Sequence, residues 1–234
     1  MAMMAVKRRR GIWRFVRLIG LALILMLLVP LGLTLVYGVV APVSTVMLWR
    51  RVTGQPVQRI WVPLDAVSPA LIRSVIVAED SRYCQHHGVD VRGVIDAFEE
   101  TDDLLRARGG SSITQQAVKN LFLWPSRSYV RKAIEVPLAV WLDLTLGKRR
   151  VLEIYLNVVE WGPGGQFGVE AGARRAFGKS AAALDLHEAS LLVTMLPNPH
   201  TRDARRPGPG LLRLAGIYQR RAVAWTNTAA CVLR

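Results

Sequence analysis

The chain has 234 residues, with 31 Lys and Arg side chains against 17 Asp and Glu, a formal net charge of +14. This length predicts one domain with room for one appended element. A hydrophobic content of 51% and a mean hydropathy of +0.25 exclude a disordered chain. Two cysteines exclude a disulfide scaffold and a four-thiolate zinc site. The pI of about 10.9 indicates an anionic partner, which could be nucleic acid, a lipid surface or a phosphorylated substrate.

The apolar residues are concentrated near the N-terminus. Residues 18–40 contain no charged side chain, and 23 helical residues are long enough to cross a bilayer core of about 30 Å. Six cations and no acid precede this segment. The positive-inside rule therefore predicts a cytoplasmic tail over 1–17, a transmembrane helix over 18–40 and the rest of the chain outside. A cleaved signal peptide is the alternative, but its apolar region is usually only about 7–15 residues long.

The remaining residues are predicted to be helical almost throughout. Residues 41–63 are interpreted as a juxtamembrane connector with a strand-like piece from Arg59 to Val62, and residues 64–234 as a mainly α domain. We expect Val94, Ile95 and Phe98 to face inward on one helix. Four predicted helices begin at Ser68-Pro69, at Asp90, at Ser111 or Ser112, and at Ser128, and the fourth is expected to be kinked or interrupted at Pro137. Further helices are predicted over 148–161, over 169–177, after a cap formed by Asp185 and Glu188, and from Leu211 to Trp225.

Residues 106–150 are strongly basic, with nine cations and two acids. A field of one sign indicates an anionic ligand, although a face lying on anionic lipid headgroups is an alternative. Nucleic acid is not expected, because aromatic residues make up only 7% of the chain and no run of them suited to stacking on bases is interleaved with the cations. Arg131, Lys132 and Glu135 have helical spacing and share one face, which a surface ion pair alone could also explain.

The second acidic cluster, Glu79-Asp80, ends an apolar helix. A carboxyl group beside apolar side chains is expected to have a raised pKa, as a general acid or base requires. His86 and His87 have no third ligand nearby in the sequence, so we expect hydrogen bonding and no metal site. Cys84 is expected to be a buried, inert thiol. No serine-hydrolase elbow, phosphate loop, dinucleotide fingerprint or penicillin-binding signature occurs.

Four stretches together resemble the biosynthetic peptidoglycan glycosyltransferases of family 51, in their short, monofunctional, membrane-anchored form. Residues 79–88 (EDSRYCQHHG) match Glu-Asp-x-x-Phe-x-x-His-x-Gly, and residues 109–116 (GGSSITQQ) differ from the family motif by Ser112 in place of Thr. Residues 131–135 match Arg-Lys-x-x-Glu, and residues 148–157 match Lys-x-x-Ile-Leu-Glu-x-Tyr-Leu-Asn. The motifs occur in the family's order over roughly residues 60–200.

The resemblance implies a lysozyme-like α fold and polymerisation of lipid II into β-1,4-linked glycan, with inversion at C1 and release of undecaprenyl pyrophosphate. Glu79 matches the family's general base and Glu135 its second carboxylate. The positions expected to contact substrate are Asp80, Gln116, Lys119, Arg127, Arg131 and Lys132. The supporting positions in the motifs are His86, Ser111, Thr114, Glu153 and Asn157.

The resemblance also implies the surroundings of the enzyme. The catalytic domain is expected in the periplasm, on a single-pass anchor in the bacterial inner membrane. The expected partners are lipid II, undecaprenyl-pyrophosphate-linked glycan and membrane lipid, with cell-wall or division proteins as further candidates. No cofactor is expected to be required, although Mg²⁺ or Mn²⁺ could assist. The alternatives are a lysozyme or lytic transglycosylase that cleaves peptidoglycan, and a membrane-anchored adaptor without activity.

Overall fold

The structure, a computed structural model, describes residues 2–100, 110–125 and 128–233, and this part of the chain is mainly α, as predicted. Two short strands, β1 (Gln58–Arg59) and β2 (Gln166–Phe167), pair in parallel with Gln58 opposite Gln166. The α-helices are α1 (Ala2–Tyr37), α2 (Thr45–Val52), α3 (Pro69–Glu79), α4 (Val91–Glu100), α5 (Ile113–Phe122), α6 (Tyr129–Val158), α7 (Val169–Phe177), α8 (Leu186–Val193) and α9 (Pro209–Ala224).

The C-terminal end of α1 lies against the rest of the chain. The Trp141 indole donates a 3.3 Å hydrogen bond to the carbonyl oxygen of Leu31, and Arg150 donates to those of Tyr37 and Val40. The Tyr37 ring stacks on Phe122 at 5.9 Å between centroids. No helix within the described residues is both long enough and apolar enough to cross a membrane. The span over residues 18–40 stays a prediction.

The segment interpreted as a connector, residues 41–63, is more ordered than predicted. It contains α2, which the sequence analysis missed, and the strand is limited to β1. Ser44 caps α2 by accepting a 3.1 Å hydrogen bond from the Met47 amide, and the Met47 side chain is fully buried. Arg50 on the same helix pairs with Glu160 at 2.9 Å. These contacts make the segment part of the globular fold.

Local capping explains where several helices begin. Ser68, directly before Pro69, caps α3 by accepting a hydrogen bond from the Ala70 amide. Ser112 caps α5 in a reciprocal capping box with Gln115. Ser128 caps α6, and Asp185 forms a capping box with Glu188 ahead of α8, as predicted. The side chain of Asp90 likewise accepts from the Gly93 amide. The expectation for α4 was wrong at Ile95, which is 51% exposed, and Phe98 lies among residues whose side chains are not described.

Helix α6 breaks at Gly147, directly before the predicted helix over 148–161, whereas the backbone at Pro137, where a kink or an interruption was predicted, is helical. Gly147 has φ 72° and ψ 164°, a conformation that glycine adopts without steric penalty. Pro137 is tolerated because it and Ala133, whose carbonyl loses its helical partner, both lie on the exposed face of α6. The break divides α6 into a first part that carries Glu135 and a second part that is largely buried. The predicted helix over 148–161 is this second part.

The core lies where α5 packs along α6 and where α3 packs against α8 and α9. Its largest fully buried side chains include Trp161, Tyr83, Tyr155 and Phe167. The expectation of a free thiol at Cys84 was wrong, since Cys84 forms a disulfide with Cys231, with the Cα atoms 5.7 Å apart. The disulfide attaches the C-terminal segment to the turn that follows Glu79 and Asp80.

Candidate active site

Glu79 is the last residue of α3, after the buried residues Val75, Ile76 and Val77. Its Oε2 accepts a 2.8 Å hydrogen bond from Gln116 Nε2. Burial of the carboxyl group raises the pKa of Glu79 above its usual value, while the Gln116 hydrogen bond and the Lys119 charge oppose this shift. The predicted raised pKa is therefore present at Glu79, for the predicted reason.

Gln116 is fixed from both sides of its amide group. While its nitrogen donates to Glu79, its Oε1 accepts a 3.2 Å hydrogen bond from the hydroxyl group of Tyr155. Tyr155 is fully buried on the second part of α6, so it provides a rigid support. The two contacts together orient the amide nitrogen toward the Glu79 carboxylate. Tyr155 belongs to the fourth motif, but the sequence analysis did not select it as a site residue.

Lys119 lies one helical turn after Gln116 on the same face of α5. Burial lowers the pKa of Lys119, and the nearby charges of Glu135, Arg131, Glu79 and Lys132 act on it in decreasing order. Both carboxylates influence this one ammonium group, so Lys119 interacts electrostatically with Glu79 and with Glu135. The structure thus brings the second motif together with the first and the third.

Glu135 is only 2% exposed and is held by two cations. Arg131 Nη1 donates to one carboxylate oxygen at 3.0 Å, and Lys132 Nζ donates to the other at 2.8 Å. The same Lys132 ammonium donates to Ser111 Oγ at 2.8 Å. The shared helical face was predicted correctly. A plain surface ion pair is excluded, because the carboxylate is buried and Lys132 connects it to Ser111, the residue before the N-cap of α5.

Asp80 has an inward-facing role. Its carboxylate lies 3.0 and 3.1 Å from His86 Nε2 and accepts a 3.0 Å hydrogen bond from the Ile113 amide. With its side chain 1% exposed, Asp80 positions the start of α5. It also lines the smaller of the two cavities described below, and its contact with substrate stays a prediction. His86 has the hydrogen-bonding role that we expected. Gly88 ends this loop with φ 83°, and a Cβ atom there would lie 2.4 Å from the Ala139 carbonyl oxygen.

The supporting positions of the other motifs bind neighbouring segments of the chain. Asn157 is fully buried and forms hydrogen bonds with both backbone groups of Val62, at 2.9 and 2.8 Å. Glu153 accepts from the Leu64 amide at 2.9 Å. Thr114 donates from its hydroxyl group to Asp143 at 3.3 Å. These contacts hold neighbouring segments in place, which agrees with a supporting role.

Two cavities adjoin the Glu79–Gln116 hydrogen bond. The larger, of about 360 Å³, has Gln116, Lys119 and Tyr155 in its wall and extends toward Glu160 and His200. The smaller, of about 150 Å³, is lined by residues that include Glu79, Ser111, Ser112 and Arg221. Ligand groups on both sides of Glu79 could therefore come within reach of its carboxylate.

The basic field divides into two groups of cations. Lys119, Arg131 and Lys132 lie at the site, whereas the cluster at 148–150 serves the fold. In that cluster Lys148 pairs with Asp143 at 2.9 Å, Arg149 with Asp65 at 2.7 Å, and Arg150 with Glu153. The predicted substrate contact Arg127 lies outside the described residues, as do Arg106, Arg108 and Gly109.

Two residues near Glu79 come from segments without a motif. The charge of Arg202 opposes the raised pKa of Glu79. Burial raises the pKa of Tyr218, and the charge of Glu79 raises it further. Tyr218 lies on α9, which packs against α3. Neither residue lies in a recognisable local pattern, because proximity to Glu79 depends on the packing of α9 and of the segment before it that carries Arg202.

The site can perform proton transfer beside a concentration of positive charge. A desolvated carboxyl group is suited to accept a proton from a hydroxyl group, and Lys119, Arg131 and Lys132 can stabilise an anionic leaving group. Among residues 2–100, 110–125 and 128–233, no group of three or more His, Cys, Asp or Glu side chains is arranged to hold a metal ion.

Comparisons with known proteins agree with this chemistry. The family model described as Transglycosylase matches residues 46–223. The chain is 54% identical over 211 residues to the biosynthetic peptidoglycan transglycosylase of Rhodopseudomonas palustris (strain TIE-1), covering 90% of this chain and 89% of that protein. The protein of the same name from Nitrobacter winogradskyi is 54% identical, with 90% and 93% covered. That of Rhizobium johnstonii is 46% identical over 221 residues, with 94% and 90% covered.

Proposed function

This chain belongs to the transglycosylase family, and from that premise we propose that its substrate is lipid II. It is a peptidoglycan glycosyltransferase of cell-wall biosynthesis, which confirms the enzyme class predicted from the sequence, and its mainly helical domain agrees with the expected lysozyme-like fold. The observation that carries the substrate proposal is the cluster of cations near Glu79: Arg131 and Lys132 pair with the buried Glu135 at 3.0 and 2.8 Å, and Lys119 lines the larger cavity together with Gln116, which donates to Glu79. A neutral glycan would not require this concentration of cations, whereas a pyrophosphate-linked donor would.

In the proposed reaction, Glu79 acts as the general base. Its carboxylate takes the proton from the 4-hydroxyl group of the lipid II GlcNAc as that oxygen attacks C1 of the MurNAc at the reducing end of the growing glycan. The bond from C1 to the phosphate oxygen breaks, and its electron pair leaves with undecaprenyl pyrophosphate. Attack from the face opposite the leaving group inverts C1 and forms the β-1,4 bond. The hydrogen bond from Gln116 supports this role because it orients the carboxylate.

The proposed role of the cations is to stabilise the leaving pyrophosphate. Arg131 and Lys132 are held before the reaction by Glu135, and Lys119 is partly buried on α5, so little reorganisation is needed when negative charge develops. Glu135 is proposed to orient Arg131 and Lys132, since each of its carboxylate oxygens accepts from one of them. We propose that no metal cofactor is required, since these cations supply the positive charge. Polymerisation in excess EDTA, with and without added Mg²⁺ or Mn²⁺, tests this proposal.

The rival enzyme reaction is cleavage of finished peptidoglycan. Purified full-length protein should consume lipid II with release of undecaprenyl pyrophosphate, and it should release no muropeptides from peptidoglycan sacculi. Product glycan should be degraded by an added lysozyme, which checks that β-1,4 polymer has formed. Release of muropeptides without consumption of lipid II would replace this proposal with the hydrolase. Inactivity on both substrates would favour the adaptor.

Enzymes of this family act in the cell envelope, and we propose attachment to the inner membrane through residues 18–40. The support comes from the absence of charge over these 23 residues and from the six cations before them. Described apolar side chains of α1, including Leu21, Ile24 and Leu28, are about half exposed and would be covered by lipid. Exposed Val136, Trp141 and Leu144 on the first part of α6 supply more apolar surface beside α1.

Membrane extraction and topology reporters test this attachment. The full-length protein should stay in the membrane pellet at alkaline pH, and a variant with Leu25 and Leu28 replaced by Arg should be released. A reporter enzyme that works only outside the cytoplasm should be active when fused after residue 60 and inactive when fused before residue 18. The opposite reporter pattern would overturn the topology, and release of the wild type at alkaline pH would overturn the anchor.

A further inference from the structure

We propose that the buried ion pair between Asp143 and Lys148 is a positioning element of the active site, which holds the loop carrying Asp80 and His86 against α5 and α6. The predicted catalytic chemistry uses neither residue. Together they connect segments from all four sequence motifs. The proposal rests on the proposed function only where activity on lipid II is measured.

Asp143 occupies the same inward face of α6 as Glu135. The two are eight residues apart, a little more than two helical turns, and they are 4% and 2% exposed. Asp143 Oδ1 accepts a 3.3 Å hydrogen bond from the hydroxyl group of Thr114 on α5 and lies 2.9 Å from Lys148 Nζ. The first part of α6 is therefore tied to α5 at a second point, away from the Lys132–Ser111 contact.

Lys148 follows directly after the break at Gly147, so its backbone and its side chain both face the loop. Its ammonium group lies 4.5 Å from the centroid of the Tyr83 ring, and its carbonyl oxygen accepts a 2.9 Å hydrogen bond from the Tyr83 hydroxyl group. Lys148 Nζ donates no well-directed hydrogen bond to any of the described residues, and the Asp143 carboxylate is its counter-charge. Tyr83 is thereby held at the ring and at the hydroxyl group.

Within the same loop, the contacts continue from Tyr83 to His86 and Asp80. The Tyr83 ring meets the His86 ring edge to face at 6.2 Å, and His86 in turn holds Asp80 at 3.0 Å. Asp80 accepts from the Ile113 amide and so positions α5, the helix that carries Gln116 and Lys119. A displacement at Asp143 or Lys148 would therefore reach both sides of the Glu79–Gln116 hydrogen bond.

Stability alone is a poor explanation for this pair. Taking both charges out of water carries a desolvation penalty that their attraction offsets only in good geometry, and uncharged replacements of such pairs are often neutral or stabilising. Removing one partner, in contrast, leaves an uncompensated buried charge and destabilises strongly. A pair retained under these conditions is better explained by the geometry that it fixes. Misplacement of reacting groups by about 1 Å can lower turnover roughly 10²-fold.

The test compares single and double neutralising variants. Asp143→Asn leaves Lys148 unpaired and should lower the melting temperature. The double variant Asp143→Asn/Lys148→Met removes both charges and keeps an acceptor for Thr114, so its melting temperature should be close to that of the wild type. Its kcat on lipid II should nevertheless fall by about tenfold or more, with KM within about twofold, because alignment and not binding is lost. The single variant Lys148→Arg keeps a cation beside Asp143, so its kcat should be higher than that of the double variant.

A matched control neutralises a lysine–carboxylate pair away from the site. Lys179 Nζ lies 2.6 Å from Glu188 Oε1 on the surface, and Lys179→Met/Glu188→Gln keeps the capping side chain of α8. This control should leave kcat unchanged. A double variant at Asp143 and Lys148 that is folded and has wild-type kcat would overturn the proposal. So would a loss of kcat that only follows the unfolded fraction.

A readout without lipid II separates this inference from the proposed function. Hydrogen exchange of the Ile113 amide, which Asp80 holds, should become about tenfold faster in the double variant, while amides in α8 stay unchanged. Unchanged exchange at Ile113 would contradict the positioning role even if the wild type were inactive on lipid II. An inactive wild type with accelerated exchange in the variant would count against the substrate alone.

Discussion

Gln116 donates a 2.8 Å hydrogen bond to Glu79, and this contact orients the candidate base and favours its charged form. Burial favours the neutral carboxyl group and raises its pKa, while the Gln116 hydrogen bond and the nearby charges of Lys119 and Arg202 favour the carboxylate. The net result is a raised pKa. A carboxyl group in this state is a stronger base than an ordinary glutamate, yet it still ionises as the pH rises.

The pH dependence of activity should show this raised pKa. Because the base must be deprotonated, kcat/KM should increase with pH through the pKa of Glu79, and the midpoint of this acid limb should lie above the usual value of 4.5. Initial rates measured across pH on the wild-type enzyme check this expectation. A midpoint at or below 4.5 would be incompatible with a desolvated Glu79 as the base.

Removing the Gln116 amide should shift the acid limb of the pH profile further toward high pH. In Gln116→Leu the carboxylate loses the hydrogen bond that lowers its pKa, so the acid limb should shift to higher pH and the rate at neutral pH should fall. Tyr155→Phe leaves Gln116 in place but removes one support of its amide, and it should give a smaller shift in the same direction. A limb that moves to lower pH in Gln116→Leu would contradict this assignment.

The cations around Glu135 should not be interchangeable. Arg131→Lys keeps the charge but loses the planar guanidinium, so polymerisation should fall by about tenfold or more, and Lys132→Ala should be more severe. The control is Arg174→Lys, because Arg174 also pairs with a glutamate four residues away but is mostly exposed at the surface. Rates are measured below the melting temperature of each variant. Wild-type turnover by Lys132→Ala would remove this residue from the mechanism.

The disulfide between Cys84 and Cys231 should make stability sensitive to reduction. It closes a loop across 147 residues of sequence, and loss of a native disulfide typically costs about 2–5 kcal/mol. Thermal unfolding with and without reductant should show a lower melting temperature after reduction. The Cys84→Ala/Cys231→Ala variant should melt near the reduced protein and should not respond to reductant. Equal melting temperatures of oxidised and reduced wild type would contradict the cross-link.

The features predicted best from the sequence are those set by neighbours in the chain. The caps at Ser68, Ser112 and Asp185 depend on side chains within three residues of the helix that they begin. The face shared by Arg131 and Glu135 follows from helical spacing alone. Local hydrogen bonds and periodicity are sufficient for such predictions.

The wrong predictions concern features that depend on packing. Pro137 does not interrupt α6, since its exposed position leaves the carbonyl of Ala133 open to solvent, while Gly147 supplies the break. Cys84 finds its partner 147 residues away, where no spacing rule applies. Asp80 accepts a hydrogen bond from the Ile113 amide across 33 residues, a contact that the sequence did not indicate, while its contact with substrate stays a prediction. The α2 helix is short, and its stability comes from the burial of Met47 and the pairing of Arg50.

The most direct test of Glu79 as the base is lipid II turnover by purified Glu79→Gln beside the wild type, with His86→Gln as a comparison. Glutamine keeps the size of the side chain but cannot accept the proton, so the variant should stay folded and lose about 10²–10⁴-fold or more in turnover. His86→Gln should lose activity through misplacement of Asp80 and should keep the acid limb of the pH profile. The account predicts polymer and undecaprenyl pyrophosphate from the wild type and almost none from Glu79→Gln. Near-normal polymerisation by a folded Glu79→Gln would contradict it.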